Sequence, residues 1–158
     1  MASVMRKKNT EPPKLEFGLW SKWEDRTSIE GARYPGVYAL AMTEEDLAGK
    51  PVRYTEIQYI GMSNSLSGLK GRWSQFNKAI HGDSGRHSGG DTTFKDLGPY
   101  PNWRKKLFVA ACPVQCEPKE VSPENLRKMG LVTYLEYEAF AQFCEIHPDR
   151  AKPKYNKR

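Results

Sequence analysis

The sequence has no long apolar run, and this is its first constraint. No stretch approaches the roughly 18–20 apolar residues that span a bilayer. The opening segment, MASVMRKKNTEPPKLEF, carries basic residues but no apolar core. No signal peptide is expected, and a cytoplasmic location with no membrane partner is. Cysteine is scarce: Cys112, Cys116 and Cys144 are the three in the chain. An odd, sparse set excludes a disulfide framework. With His147 these thiols have a spacing that zinc accepts, but Cys112 lies in an apolar, strand-like run, and packed thiols are the simpler reading. Internal repeats are absent. Acidic residues are outnumbered, 19 against 25 lysines and arginines.

The resulting net charge of +6 and sequence pI of about 9.2 point to polyanionic partners, with nucleic acid first. The surplus is clustered. Arg6, Lys7, Lys8 and Lys14 load one end; Arg150, Lys152, Lys154, Lys157 and Arg158 load the other. Lys70, Arg72 and Lys78 form a third group, and Arg104, Lys105 and Lys106 a fourth. Each cluster alone reads as a solvated face; together they favour phosphate contacts. Residues 1–14 are polar, with Pro12 and Pro13, and read as a flexible basic arm. Residues 15–158 suit one domain with a modest core.

Along that domain, Phe17, Trp20 and Trp23 recur near helical spacing and read as a packing segment. PGVYALAM (35–42) reads as a buried strand, TEEDLAGKP (43–51) as a turn with one helical turn after Thr43, and TEIQYIGMS (55–63) as a second strand. Leu69, Trp73, Phe76 and Ile80 fall on one helical face, with Arg72 on its flank. HGDSGRHSGGDTT (81–93) reads as a Gly/Ser-rich loop, and KKLFVAACPV (105–114) as the third strand. Ser122 and Pro123 open a helix as cap and first residue, with a break expected near Gly130. The last helix carries an apolar stripe of Val132, Leu135, Ala139, Phe143 and Ile146. Glu136 lies beside that stripe, where a carboxylate is costly without a partner, a proton or a metal. The order β-β-α-β-α-α predicts an α/β fold: a small three-stranded, largely antiparallel sheet flanked by helices.

These residues resemble a family. "GVY" at 36–38 and "YIG" at 59–61 are similar to the paired signature of the GIY-YIG nucleases, with Arg72 in the next helix, Glu136 in a later one and Asn156 near the end, all in order. The resemblance covers Pro35 to Asn156. It implies the GIY-YIG fold and a DNA endonuclease that hydrolyses phosphodiester bonds with one divalent metal, Mg²⁺ or Mn²⁺, in restriction, defence or repair. Three features depart from the family pattern. The tyrosines are further apart than in compact members. The segment between Glu136 and Asn156 is longer. Phe76 stands four residues after Arg72, where many members carry His or Tyr. Phe76 cannot hydrogen-bond a phosphate or pass a proton, so the role is empty or filled from elsewhere, with His87 or His81 as candidates, although a histidine in such a loop alone reads as a surface residue.

The resemblance and the chemistry together assign the roles. Tyr38 is general base or positioner of the attacking water, and as a base its pKa must be lowered by nearby cations. Tyr59 orients water or phosphate. Arg72 binds the scissile phosphate through its planar fork. Glu136 is the metal ligand. Asn156 supports the structure near the metal, and His87 is a proton relay. Gly36 and Gly61 let backbone approach the phosphate, and Lys70 joins them as a binding candidate. Tyr155 reads as packing. A specific enzyme would read bases through 43–55 and 82–104, and cutting both strands with one site each would call for a homodimer. The alternative is a catalytically weak nucleic-acid-binding module of the same fold, which Phe76 favours.

Overall fold

The computed structural model describes residues 14–157, so the arm expected over residues 1–14 lies almost wholly outside it. β1 (Ser21–Lys22) is followed by β2 (Gly36–Thr43), β3 (Tyr59–Ser63), α1 (Gly68–Ile80), α2 (Ser88–Leu97), β4 (Lys106–Pro113) and α3 (Pro123–Ile146). Among the described residues the sheet has four strands, not the expected three, in the order β1-β4-β2-β3. Every pairing is antiparallel. The additional strand comes from the segment read as helically spaced aromatics. Ser21 and Lys22 pair with Val109 and Phe108, which is too short a run to show alternation in the sequence. Trp20 and Trp23 flank this pair and pack on opposite faces of the sheet.

β2 is the central strand, and its alternation divides the core. Val37, Ala39 and Ala41 face α3, meeting Val132, Leu135, Ala139 and Phe143. Tyr38, Leu40 and Met42 face the other way, towards Leu69, Trp73, Phe76 and Ile80 of α1. The α1 stripe is fully buried, as its spacing predicts. At roughly 1.5–3 kcal/mol for each large side chain, these four residues alone outweigh the weak helix propensity of Gly68 and Gly71.

Several local expectations change. The 43–51 connection has no helical turn, and a short 3₁₀ turn stands at Tyr54–Glu56, so β3 begins at Tyr59. α3 does not break at Gly130; it runs unbroken for 24 residues. A side chain at Gly130 would meet open space, and the cost of one exposed glycine, about 1 kcal/mol, is small beside the buried stripe. Ser122 caps α3 as predicted, accepting from the Asn125 amide at 3.1 Å. Ile146 leaves the stripe and is exposed.

The Gly/Ser-rich segment holds α2. Gly89 and Gly90 oppose a helix by propensity, yet close packing requires both. A Cβ on Gly89 would lie 2.3 Å from Tyr59 Cε2, and one on Gly90 2.6 Å from Ala79 Cβ. Their absence of side chains lets α2 settle against α1 and β3. Among the described residues, no helix is long and apolar enough to cross a membrane.

Candidate active site

Tyr38 and Tyr59 sit on adjacent strands, one residue pair apart: Tyr38 pairs with Gly61, and Tyr59 with Leu40. Their rings tilt against each other with centroids 6.0 Å apart. The glycine in the second strand has a direct steric reason. A Cβ on Gly61 would lie 2.5 Å from Tyr38 Cζ and 2.6 Å from its Oη. The Tyr38 ring lies across the position that a side chain would need, so in this state Gly61 admits a tyrosine. Gly36 answers the same constraint from β4, where a Cβ would fall 2.5 Å from the Cys112 carbonyl oxygen.

His87 is the largest departure from the sequence reading. It is buried, not on the surface, at 2% exposure. It is the N-cap of α2, its Nδ1 accepting from the Gly90 amide at 3.1 Å. This bond assigns the tautomer: with Nδ1 as acceptor, the proton of the neutral ring is on Nε2. Nε2 then donates to the Tyr38 hydroxyl, 2.9 Å away. The ring stands edge-on to Phe76, with centroids 5.2 Å apart, and against Tyr59 at 5.5 Å. His87 thus brings an imidazole beside Phe76 from another element. Burial, reinforced by the Arg72 charge, lowers the His87 pKa to about 3, so the ring is neutral throughout the physiological range.

Burial also decides Tyr38. Desolvation and the neighbouring Tyr59 raise its pKa well above the ordinary value, and Arg72 opposes them without prevailing. The lowered pKa expected for a base is not present in this state; Tyr38 is a neutral, fully enclosed hydroxyl. Tyr59 is also raised by burial, with the Arg72 charge and the Tyr38 hydroxyl pulling it back.

Tyr59 is the tyrosine that reaches a cleft of about 500 Å³, lined also by Ser88, Gly89, Glu136, Asn156 and Lys157. Glu136 of α3 enters from the opposite face of the sheet, around the edge strand β3. Its half-buried carboxyl is pushed up by desolvation, with Arg72 opposing. Arg72 therefore bears electrostatically on Tyr38, Tyr59, His87 and Glu136 alike. Its Nη1 donates to Gln75 Oε1 at 2.7 Å, and no ion pair joins it to Glu136 among the described residues.

Asn156 closes the cleft and fixes the tail. Its Oδ1 accepts from the Ile60 amide at 2.9 Å, and its Nδ2 donates to the Ile60 carbonyl at 2.8 Å. Tyr155 packs, as read, with its amide on the Gln58 carbonyl and its hydroxyl on Asp96 at 2.7 Å. The tail thereby covers the free edge of β3. Gly36 and Lys70 do not line the cleft; Lys70 is exposed on α1. His81 is exposed at the end of α1, with Nδ1 against the Asn77 carbonyl. Ser88, Gly89 and Lys157 are cleft residues that the sequence reading did not single out. Among the described residues, no three His, Cys, Asp or Glu side chains converge on one point. Cys112 and Cys116 are buried free thiols, and Cys144 Sγ is 2.9 Å from the Ala151 carbonyl oxygen.

Comparison with family models, curated proteins and solved structures returns no match. The resemblance to the GIY-YIG nucleases rests on the sequence residues alone.

Proposed function

We propose that this chain is a divalent-metal-dependent endonuclease that hydrolyses DNA phosphodiester bonds. One observation carries the reading: Arg72 and Glu136 act on the same tyrosine pair yet leave each other unpaired. A carboxylate in the cleft and a guanidinium near the same tyrosines, with no ion pair between them, suit a metal ion and an incoming phosphate, respectively. The donor set fits one Mg²⁺ or Mn²⁺. Glu136 is a carboxylate without a protein cation on it, and such ions keep most of their waters. When bound there, the ion would polarise the phosphate and stabilise the departing oxygen.

The chain's own residues divide the rest of the work. Arg72 holds the phosphate, its Gln75 contact steadying the fork while other N–H groups remain to donate. Tyr59 presents its hydroxyl to the cleft and orients water. Tyr38 acts beneath it: the His87 donor occupies one side of its oxygen, so its own proton points onward. Tyr38 is therefore a positioning residue, held neutral, and His87 fixes its orientation in place of a side chain at position 76. In the reaction the water oxygen bonds to phosphorus and the P–O3′ bond breaks. The water's proton ends on the 3′ oxygen, leaving a 5′-phosphate and a 3′-hydroxyl.

The complete enclosure and raised pKa of Tyr38 favour a second reading, a nucleic-acid-binding module with weak catalysis. Supercoiled plasmid incubated with Mg²⁺ or with EDTA separates the two. Nicking by the wild type that requires Mg²⁺, and that drops a hundredfold or more in Glu136→Gln and Arg72→Ala, is the expected result. Plasmid binding without nicking would overturn the nuclease and leave the module.

A further inference from the structure

α2 runs from the cleft to a second groove. Its first residues, Ser88 and Gly89, line the cleft. At its other end Trp103 Nε1 donates to the Gly98 carbonyl at 2.8 Å. There Tyr100 and Trp103 stand edge to face, centroids 5.0 Å apart, on a groove of about 410 Å³ flanked by Lys22, Arg104, Lys105 and Lys106. Ten helical residues separate the two sites, a length of about 15 Å. The path between them is a shallow depression lined by Lys95 and Lys154. Thr92 and Asp96 of α2 line it too, so it lies along the helix between the cleft end and the groove end, and Lys154 pairs with Asp96 there at 3.4 Å. Groove and tyrosines also share one face of the sheet: Tyr100 and Trp103 pack against the same core as Tyr59.

Two independent properties select the occupant. The cations of the groove form no ion pairs among the described residues, and Glu24, its acid, is held by the Tyr100 hydroxyl. A positive surface of this kind takes a phosphate backbone. The rings are half-buried, fixed in orientation by their mutual edge-to-face packing and the Trp103–Gly98 bond, and both line the groove. Fixed aromatic faces among cations bind unpaired bases; a duplex keeps its base faces stacked inside.

We infer that a single-stranded segment of nucleic acid leaves the cleft, follows α2 past Lys95 and Lys154, and stacks a base against Trp103. The preferred substrate is then one with an unpaired strand next to the scissile phosphate, such as a flap or fork. This rests on the nuclease reading for what happens in the cleft, but not for the groove.

The test is binding of 5′-labelled oligo(dT)₁₂ by fluorescence anisotropy in EDTA, so cleavage plays no part. The variants are Arg104→Glu/Lys106→Glu, both exposed residues, and Trp103→Leu, each checked for folding by circular dichroism. The charge reversal is expected to weaken binding at least tenfold and to reduce the salt slope by about 1.4, from two single-strand phosphate contacts. Trp103→Leu is expected to weaken oligo(dT)₁₂ at least fivefold while leaving a blunt 12-bp duplex within twofold. If Trp103→Leu weakens both equally, or neither, the stacking claim fails. If the charge reversal changes nothing, the track is wrong. Loss of cleavage in the plasmid assay with these binding results intact would refute the nuclease and spare the groove.

Discussion

Replacing His87 tests the buried pair under the tyrosines most directly. His87→Ala removes the cap on the Gly90 amide, worth about 1 kcal/mol. It also removes the donor 2.9 Å from the Tyr38 hydroxyl. That hydroxyl has no access to water, and a buried polar group left unsatisfied costs roughly 1–3 kcal/mol. The expected loss is therefore roughly 2–4 kcal/mol before any cavity term, read from the midpoint of urea unfolding at constant slope. The size of the loss alone would not prove the bond, because any buried ring costs something to delete. The double-mutant cycle does. Tyr38→Phe in the wild-type background strands the imidazole Nε2–H and is expected to cost about 1–2 kcal/mol. In the His87→Ala background it removes the stranded hydroxyl, so it is expected to cost nothing or to stabilise. The two effects thus differ by about 1–3 kcal/mol. Costs that add within 0.5 kcal/mol would refute the bond and, with it, the assignment of His87 as the group that orients Tyr38. His87→Asn, which keeps a cap acceptor, is expected to recover about the cap's share and none of the coupling.

Three further outcomes follow from the same packing. Gly61→Ala places a methyl 2.5 Å from the Tyr38 ring and is expected to destabilise by roughly 1–3 kcal/mol as overpacking, seen as a lowered melting temperature; Tyr38→Phe/Gly61→Ala relieves little of it, since Cζ remains in place. Asn156→Ala breaks both bonds to Ile60, costs roughly 1–3 kcal/mol, and raises hydrogen exchange at the Ile60 and Tyr155 amides before that at β2; unchanged exchange there would mean the tail is held otherwise. For pH, the His87 value is lower in the folded chain, about 3 against an ordinary 6.5, so below 6.5 the unfolded chain binds the extra proton. Stability should therefore fall as pH drops from 6.5 towards 3, by at most about 1.4 kcal/mol per unit from this group. Glu136, raised by burial, works against that fall, so the difference between wild type and His87→Ala is the quantity to measure.

The limits of the sequence show where the physics of this site lies. β2, β4 and α1 were legible because each buries a complete pattern of its own: an apolar run or a stripe at i, i+4, i+7 and i+11. Glu136 was legible as an anomaly, a carboxylate beside a buried stripe. β1 was not, because two residues hold no period and are held by pairing to Val109 and Phe108. α2 was hidden for a stronger reason. Its two glycines argue locally for a loop, and they are there because Tyr59 and Ala79 occupy the space that side chains would take. The same rule explains Gly61, whose small size is demanded by the Tyr38 ring. In each case the glycine marks the place where a neighbouring element presses in, and in two of the three that neighbour is Tyr38 or Tyr59. The burial of His87 follows from this: only a helix that can approach Tyr59 at Gly89 brings its N-cap within reach of Tyr38. A histidine two residues before a glycine pair is a weak signal by itself. Beside Phe76 it becomes a specific one, because the apolar ring provides the wall against which the imidazole packs.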